Sequence, residues 1–426
     1  MTEPRSICVI AHSHPDFSKG GGEVSAYRQV LTHRSAGQRA IYVGASEVNT
    51  SYAAQRPLDL VTPYGEDEYL FSFGGMEPER LWWDDPFQRR NLVRFLAGLP
   101  VQVYHFHHYW RIGADMIAEL MEARPDATFV MTLHEMLAIC LHHGQMIRTR
   151  GRELCRAEAP LRCLGCFPDK AIDAMVLRKA VLLDTLRRFD HILYPSAFIR
   201  ERYEAWGLAG PRASVLENYL GDELAAIPRR AAPALAPAMA RRFGFFGQPT
   251  PFKGLDILVK GLSLAITEDK DITLTIFGAE REDVLRFFPE LKPVLDEAAH
   301  SIAFAGRYDP ADVLSLMGAV GWVVIPSIWW ENSPVVIQEA RRIGTPLIAS
   351  DIGGMAEKVR HGVDGLHFKR ASPVDLARVL LEAAQPETHA RLAASLRDVI
   401  TKEEFLAALA EAHAPRQEAS TPIAAQ

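Results

Sequence analysis

The chain contains no run of about 18 apolar residues, which removes a membrane-spanning helix from consideration. It also lacks an excess of basic charge. Its 47 Lys and Arg stand against 53 Asp and Glu, a net charge of −6, whereas a nucleic-acid-binding domain is expected to be basic. No internal repeat of about 20–50 residues is present, so a solenoid or propeller is not indicated. The first apolar run, Ser6–Ala11, is too short for a secretion signal. The compartment read from these features is the cytoplasm, with peripheral contact at the inner face of a membrane left open.

What is there is an ordinary globular composition, 48% hydrophobic and 23% charged, spread over 426 residues. That length exceeds one ordinary domain and suits about two or three. Short apolar runs alternate with helical patterns throughout. Strands are expected at Ile7–Ala11, Arg39–Val43, Val101–Phe106, Thr128–Leu133, His191–Tyr194 and Ser214–Leu216. Helical patterns fall between them, at Glu23–Ser35, Ile112–Ala123, Ala171–Arg188 and Ala197–Trp206. Such alternation argues for parallel strands joined by crossover helices.

Residues 222 to 242 break the pattern. They are rich in Ala, Pro and Arg, carry no strand signal, and read as an interdomain linker. Strands then resume at Phe243–Gly247, Ile272–Phe277, Ile302–Ala305, Gly321–Ile325, Pro346–Ala349 and Leu366–Phe368. The expected organisation is an N-terminal domain over 1–220, a linker over 221–242, a second domain over 243–413 and a disordered tail over 414–426. Both domains are read as doubly wound α/β sheets facing a central cleft. In such sheets ligands bind beyond the carboxyl ends of the strands.

Four segments at those strand ends carry candidate chemistry. In Gly247-Gln248-Pro249-Thr250-Pro251-Phe252-Lys253-Gly254, an ammonium precedes a helix start, an arrangement that suits a phosphate group. In Pro326-Ser327-Ile328-Trp329-Trp330-Glu331-Asn332-Ser333-Pro334, a loop leads to a helix that Asn332 or Ser333 could cap, with Pro334 in its first turn. The free amides there would form a second anion site, with Glu331 at its mouth. On that helix Val336, Glu339, Ala340 and Ile343 share one stripe, so Glu339 would sit on a core-facing position unless a ligand hydrogen-bonds it. The third segment is the turn Ser350-Asp351-Ile352-Gly353-Gly354. The fourth is the loop His12–Glu23, whose Gly20, Gly21 and Gly22 would let backbone amides approach a phosphate or sugar. It does not have the G-x-G-x-x-G spacing of a dinucleotide loop.

Together these residues resemble the retaining glycosyltransferases of the GT-B fold, in the large family-four group with a Glu-x₇-Glu motif. Its pattern P-S-x-x-x-E-x-x-P-x-x-x-x-E-A is matched by Pro326, Ser327, Glu331, Pro334, Glu339 and Ala340, and the downstream segment Gly344–Glu357 matches as well. The resemblance implies a fold of two Rossmann-like domains, the first on the acceptor side and the second binding the donor. It assigns Glu339 to the ribose of a nucleotide-diphosphate sugar and Glu331 to the donor sugar, with Asn332, Ser333 and Pro334 along its phosphate and ring. Lys253 would neutralise the diphosphate, Gly21 and Gly22 would close over it, and His134 would line the sugar pocket. The family often has an arginine where Gln248 stands, and Arg307 is the candidate to replace that charge.

The implied activity is transfer to an acceptor hydroxyl with retention of configuration, without a catalytic metal, in polysaccharide or glycoconjugate biosynthesis. The acceptor would be a carbohydrate or lipid-linked molecule. Two alternatives are a nucleotide-sugar epimerase of the same fold and an inactive sugar-binding protein.

Four of the five cysteines, Cys140, Cys155, Cys163 and Cys166, form an insertion after the His134 strand, and their closing C-x₂-C fits a structural zinc site. Free thiols in an irregular loop are the other reading. The strand-end histidines His105, His107 and His108 are expected to line the cleft.

Overall fold

The computed structural model describes residues 5–18, 20–46, 61–228 and 237–415. Part of the linker expectation and nearly all of the expected tail therefore lie outside the described residues. In chain order the strands are β1 (Ile7–Ala11), β2 (Ala40–Ser46), β3 (Val61–Gly65), β4 (Glu68–Ser72), β5 (Met76–Glu77), β6 (Trp82–Trp83), β7 (Val103–Phe106) and β8 (Thr128–Thr132). They continue with β9 (His191–Tyr194), β10 (Arg212–Val215), β11 (Arg242–Phe246), β12 (Thr273–Phe277), β13 (Ile302–Gly306), β14 (Trp322–Ile325), β15 (Leu347–Ser350) and β16 (Gly365–Phe368).

These strands form two large sheets. The first has the order β10-β9-β8-β7-β1-β2-β4-β3, parallel except for the antiparallel edge pair β3/β4. The second, β13-β12-β11-β14-β15-β16, is parallel throughout. In each sheet the chain starts in the middle and winds outward both ways, so the order reverses between β1 and β7 and between β11 and β14. In the central strands side chains on both faces are buried, which accounts for the unbroken apolar runs that mark them in the sequence.

Edge elements escape sequence reading for a physical reason. β3 and β4 carry Pro63, Tyr64 and Glu68, so they lack the run of aliphatic residues that marks a buried strand. The pair Trp82-Trp83 forms β6, and Trp83 is a core residue whose Nε1 donates to the Ile112 carbonyl. The neighbouring Asp85 caps the helix Pro86–Ala97 by accepting from Phe87 N and Gln88 N.

The last helix, Lys402–Ala412, lies within the segment expected to complete the second domain. Its apolar stripe Phe405, Leu409 and Ala412 instead packs with Ile7, Val9 and Val30 in a core of the first sheet. Thr401 and Glu404 form a capping box at its start. Trp330 makes a second connection between the halves. It packs against the first core, and its Nε1 donates to the Cys155 carbonyl (3.0 Å).

Candidate functional site

Both points of sheet reversal carry candidate residues, as expected for α/β sheets. The loop after β11 carries Lys253 and the loop after β14 carries Glu331. Lys253 Nζ donates to Glu331 Oε1 (2.7 Å), and the same oxygen accepts from Ser327 Oγ (2.8 Å) and Trp329 Nε1 (2.9 Å). Burial alone would raise the Glu331 pKa, but the Lys253 charge and these hydrogen bonds outweigh it and lower it. Gly254, beside Lys253, has a φ of 69°, and a β-carbon there would come within 1.9 Å of the Pro326 carbonyl oxygen. Only glycine lets the two loops approach this closely.

The helix after Glu331 runs Val335–Ile343 with Pro334 as its N-cap, and no side chain caps it. The expected cap by Asn332 or Ser333 is therefore corrected. Asn332 instead bridges the two halves: its Nδ2 donates to the His134 carbonyl (3.0 Å), and its Oδ1 accepts from Ser196 Oγ (2.5 Å). Ser333 Oγ is buried without a partner, so the helix N-terminus keeps free donors beside an unused hydroxyl.

The apolar stripe is also shifted. Ile337, Ala340 and Ile343 enter the core, while Glu339 and Val336 are half-buried at its margin. Glu339 has no hydrogen-bond partner among the described residues. Burial pushes its pKa up to about 7, opposed only by the charge of Arg28 on the helix Gly21–Ser35. Tyr308, beyond β13, also feels the Glu339 charge.

From the first sheet, the helix Gly21–Ser35 presents its N-terminus to the same place. A β-carbon on Gly21 would lie 4.0 Å from Val335 Cγ2, so the two helix N-termini face each other. One on Gly22 would lie 3.7 Å from His134 Cδ2 and 3.8 Å from His12 Cε1. His12 Nε2 is 3.1 Å from Glu23 Oε1, and Ser18 Oγ donates to that oxygen. Against the pull of burial, these partners hold Glu23 down at about 2.

Gln248 and Arg307 are both exposed, and Arg307 has no ion-pair partner among the described residues. His105, His107 and His108 are buried rather than lining the cleft, and burial drives each well below the ordinary histidine pKa. His134 is half-buried beside Gly22 and His12, with His107 directly behind it.

Cys140, Cys155, Cys163 and Cys166, read as either a structural zinc site or free thiols, lie near one another in the loop region after the His134 strand. All four are free, and among the described residues no group of three or more His, Cys, Asp or Glu is placed to hold a metal ion. Cys140 and Cys155 pack as small apolar groups against the first core, while Cys163 ends a four-residue helix, Pro160–Cys163. Burial, with a smaller contribution from the neighbouring thiols, pushes Cys140 up to about 11.

Sequence reasoning missed Ser327 and Trp329 as partners of Glu331, and Arg28 as the charge facing Glu339. It also missed Glu357, whose carboxylate accepts from Ala197 N (3.0 Å) and Phe198 N (2.7 Å) at the start of the helix Ala197–Trp206. The matched motif contained Ser327 and Glu357 but gave no signal of what either would touch.

Two facing α/β units with a cleft at their switch points define the GT-B class. Solved structures agree across nearly the whole chain. Anabaena Alr3699/HepE in complex with UDP matches at a TM-score of 0.64 and 18% identity, covering 95% of this chain and 99% of that one. Sucrose-phosphate synthase from Thermosynechococcus elongatus matches at 0.64 and 16% identity, covering 95% and 94%. The glycosyl transferases group 1 family model matches residues 240–385 of this chain. Among relatives, D-inositol 3-phosphate glycosyltransferase of Nocardia farcinica is 26% identical over 304 residues, 69% of this chain and 62% of its own length. Phosphatidyl-myo-inositol mannosyltransferase of Mycobacterium leprae is 28% identical over 203 residues, 45% of this chain and 50% of its own. The chain thus spans less than two thirds of the length of these relatives.

Proposed function

We propose that the protein transfers a glycosyl group from a nucleoside-diphosphate sugar to an acceptor hydroxyl, with retention of configuration. The observation that carries this reading is the pair of facing helix N-termini at Gly21 and Val335, with the Lys253 ammonium in the neighbouring loop. Free backbone N–H groups and two helix dipoles converge there, a setting built for a diphosphate.

In this reading Lys253 leaves Glu331 to meet the departing diphosphate and offsets the charge that develops on it, with no metal required. Glu331 is then free to face the donor sugar. Glu339 accepts from the ribose hydroxyls, which supply the hydrogen bonds its half-buried carboxyl lacks. Asn332, Ser333 and Pro334 line the phosphate and ring, Gln248 and Arg307 lie along the outer edge of the diphosphate, and His134 borders the sugar. The unit over 1–220 takes the acceptor, and the unit after the linker takes the donor. UDP bound to the Anabaena neighbour makes uridine diphosphate sugars the first donors to test. The relatives named for inositol phosphate and phosphatidylinositol point towards a polyol or lipid-linked acceptor.

The test is nucleotide release from a panel of nucleotide sugars, with and without sugar, polyol and lipid-linked acceptors, and NMR of the anomeric proton in product. Acceptor-dependent release with unchanged anomeric configuration is expected. Tight donor binding without release from any donor would overturn the reading in favour of an inactive binding protein.

A further inference from the structure

Behind His134 runs a buried row of side chains that the transfer reading does not use. Gln29, on the helix Gly21–Ser35, sits between two histidines of the β7 segment. Its Oε1 lies 2.9 Å from His107 Nε2, and its Nε2 lies 2.8 Å from His105 Nδ1. His107 Nδ1 in turn lies 2.9 Å from His134 Nε2, with the two rings stacked at 5.1 Å. On the far side, His105 Nε2 meets Thr132 Oγ1 (2.7 Å), and His105 Nδ1 meets His413 Nε2 (3.0 Å).

The proton positions follow from what each atom can do. An amide oxygen only accepts, so His107 must carry its proton on Nε2. His107 is buried and faces His134, His413 and His12, which disfavour a second proton, so its Nδ1 is a bare acceptor. His134 must therefore donate from Nε2, and its own Nδ1 is left without a hydrogen bond among the described residues. The charged and titratable groups facing His134 are His12, Glu23 and His107, with His105 and His108 also within electrostatic reach. The other arm obeys the same logic. The Gln29 amide N–H makes His105 Nδ1 an acceptor, and His105 Nε2–H then donates to Thr132.

We propose that Gln29, acting through His107, is a positioning residue that fixes His134 as the Nε2–H tautomer. This leaves His134 Nδ1 as a hydrogen-bond acceptor for a hydroxyl of the bound donor and removes His134 as a proton donor. The ligand half of this statement rests on the transfer reading; the tautomer does not. One amide on the first helix of the chain thus sets the hydrogen-bonding sense of a side chain at the cleft.

The experiment uses the full chain labelled with ¹⁵N-histidine, without ligand, and long-range ¹H–¹⁵N correlation of the imidazole rings. His134 is assigned by loss of its signals in His134→Gln. Expected in the natural protein is a protonated Nε2 and an unprotonated Nδ1 on His134, unchanged between about pH 6 and 8. In Gln29→Glu the carboxylate accepts from both neighbouring histidines and draws a second proton onto His107. His107 then donates from Nδ1, and His134 switches to the Nδ1–H form as pH falls. The ratio of kcat/KM for this variant to that of the natural protein should drop roughly tenfold at about pH 6.5 and recover at about pH 8.5. Taking the ratio removes any titration the two proteins share. Gln29→Met, which keeps the bulk and removes both bonds, should populate both His134 tautomers, and it serves if the glutamate variant does not fold. A natural His134 protonated on Nδ1, or Gln29 variants whose His134 signals match the natural protein at every pH, would overturn the proposal. A protein that turns over no donor but shows the expected tautomer and its reversal upholds the relay and overturns the transfer reading alone.

Discussion

Lys253 Nζ and Glu331 Oε1 meet at 2.7 Å from the ends of adjacent strands β11 and β14, where the second sheet reverses its order. The pair holds a cation beside the N-terminus of the helix Leu255–Ala265. Lys253→Met should lower kcat by about 10²–10³, the range seen when one group that stabilises developing charge is removed. It should also cost about 1–2 kcal/mol of stability, because Glu331 stays buried with its main partner gone. The loss is smaller than for a fully buried pair, since Lys253 is partly solvated. Steady-state kinetics and thermal melts of the same preparation check both.

Glu339 gives a pH dependence with opposite signs for stability and binding. Its folded pKa of about 7 lies above its ordinary value, so folding disfavours the ionised form. Its contribution to stability is therefore lost as pH rises from the ordinary carboxylate range through about 7. Glu339→Gln should accordingly raise the melting temperature at pH 8 and leave it nearly unchanged at pH 5. Nucleotide binding should go the other way. Ribose hydroxyls favour the carboxylate, so affinity in the natural protein should fall by up to about tenfold per pH unit below about pH 7. The glutamine variant should bind weakly and without that dependence, as isothermal titration across pH would show.

Much of this was legible in the sequence, for identifiable reasons. Strands such as His191–Tyr194 declare themselves because burial on both faces forces continuous apolar runs, and the helix Ala197–Trp206 follows as the helical pattern after it. Lys253, Glu331 and Glu339 could be singled out because charged groups at strand ends or on apolar stripes need partners. What a partner would be was not legible. Asn332 is a good helix cap by type, yet it spans the two halves because His134 and Ser196 arrive from segments more than a hundred residues away. The histidines of β7 look like cleft residues by position, but pairing of β7 with β1 and β8 places His105 in the sheet interior.

Gly354, in the first turn of the helix Gly353–Lys358, should tolerate no side chain. A β-carbon there would lie 1.4 Å from the Asn332 carbonyl oxygen, and Gly354 N donates to the Glu331 carbonyl (2.8 Å). Gly354→Ala must push the Glu331–Asn332 backbone outward, shifting both the carboxylate and the bridge to His134. A loss of about 3 kcal/mol or more is expected, together with most of the activity. Gly37→Ala is the control: its φ of 75° carries strain, but nothing lies within 4 Å, so about 1 kcal/mol and normal activity are expected.

Glu357 tests how firmly the two halves are joined. Its two oxygens accept from Ala197 N and Phe198 N, which are orphan donors at the start of the helix Ala197–Trp206. The adjacent Lys358 donates to the Pro195 carbonyl (2.9 Å) and pairs with Glu217 (3.1 Å). One short helix, Gly353–Lys358, therefore holds the first unit by a carboxylate on two amides and an ammonium on one carbonyl. Glu357→Ala leaves the two amides without acceptors but keeps the Lys358 contacts and the Ser196 cap. The expected cost is about 1–2 kcal/mol, as for loss of a helix cap. Because the contact joins two units, the loss should appear locally before it appears globally. Hydrogen exchange at Ala197 and Phe198 should quicken by about tenfold, while amides of β7 and β8 keep their protection. Equal quickening throughout the first sheet would instead mean that Glu357 supports the fold as a whole.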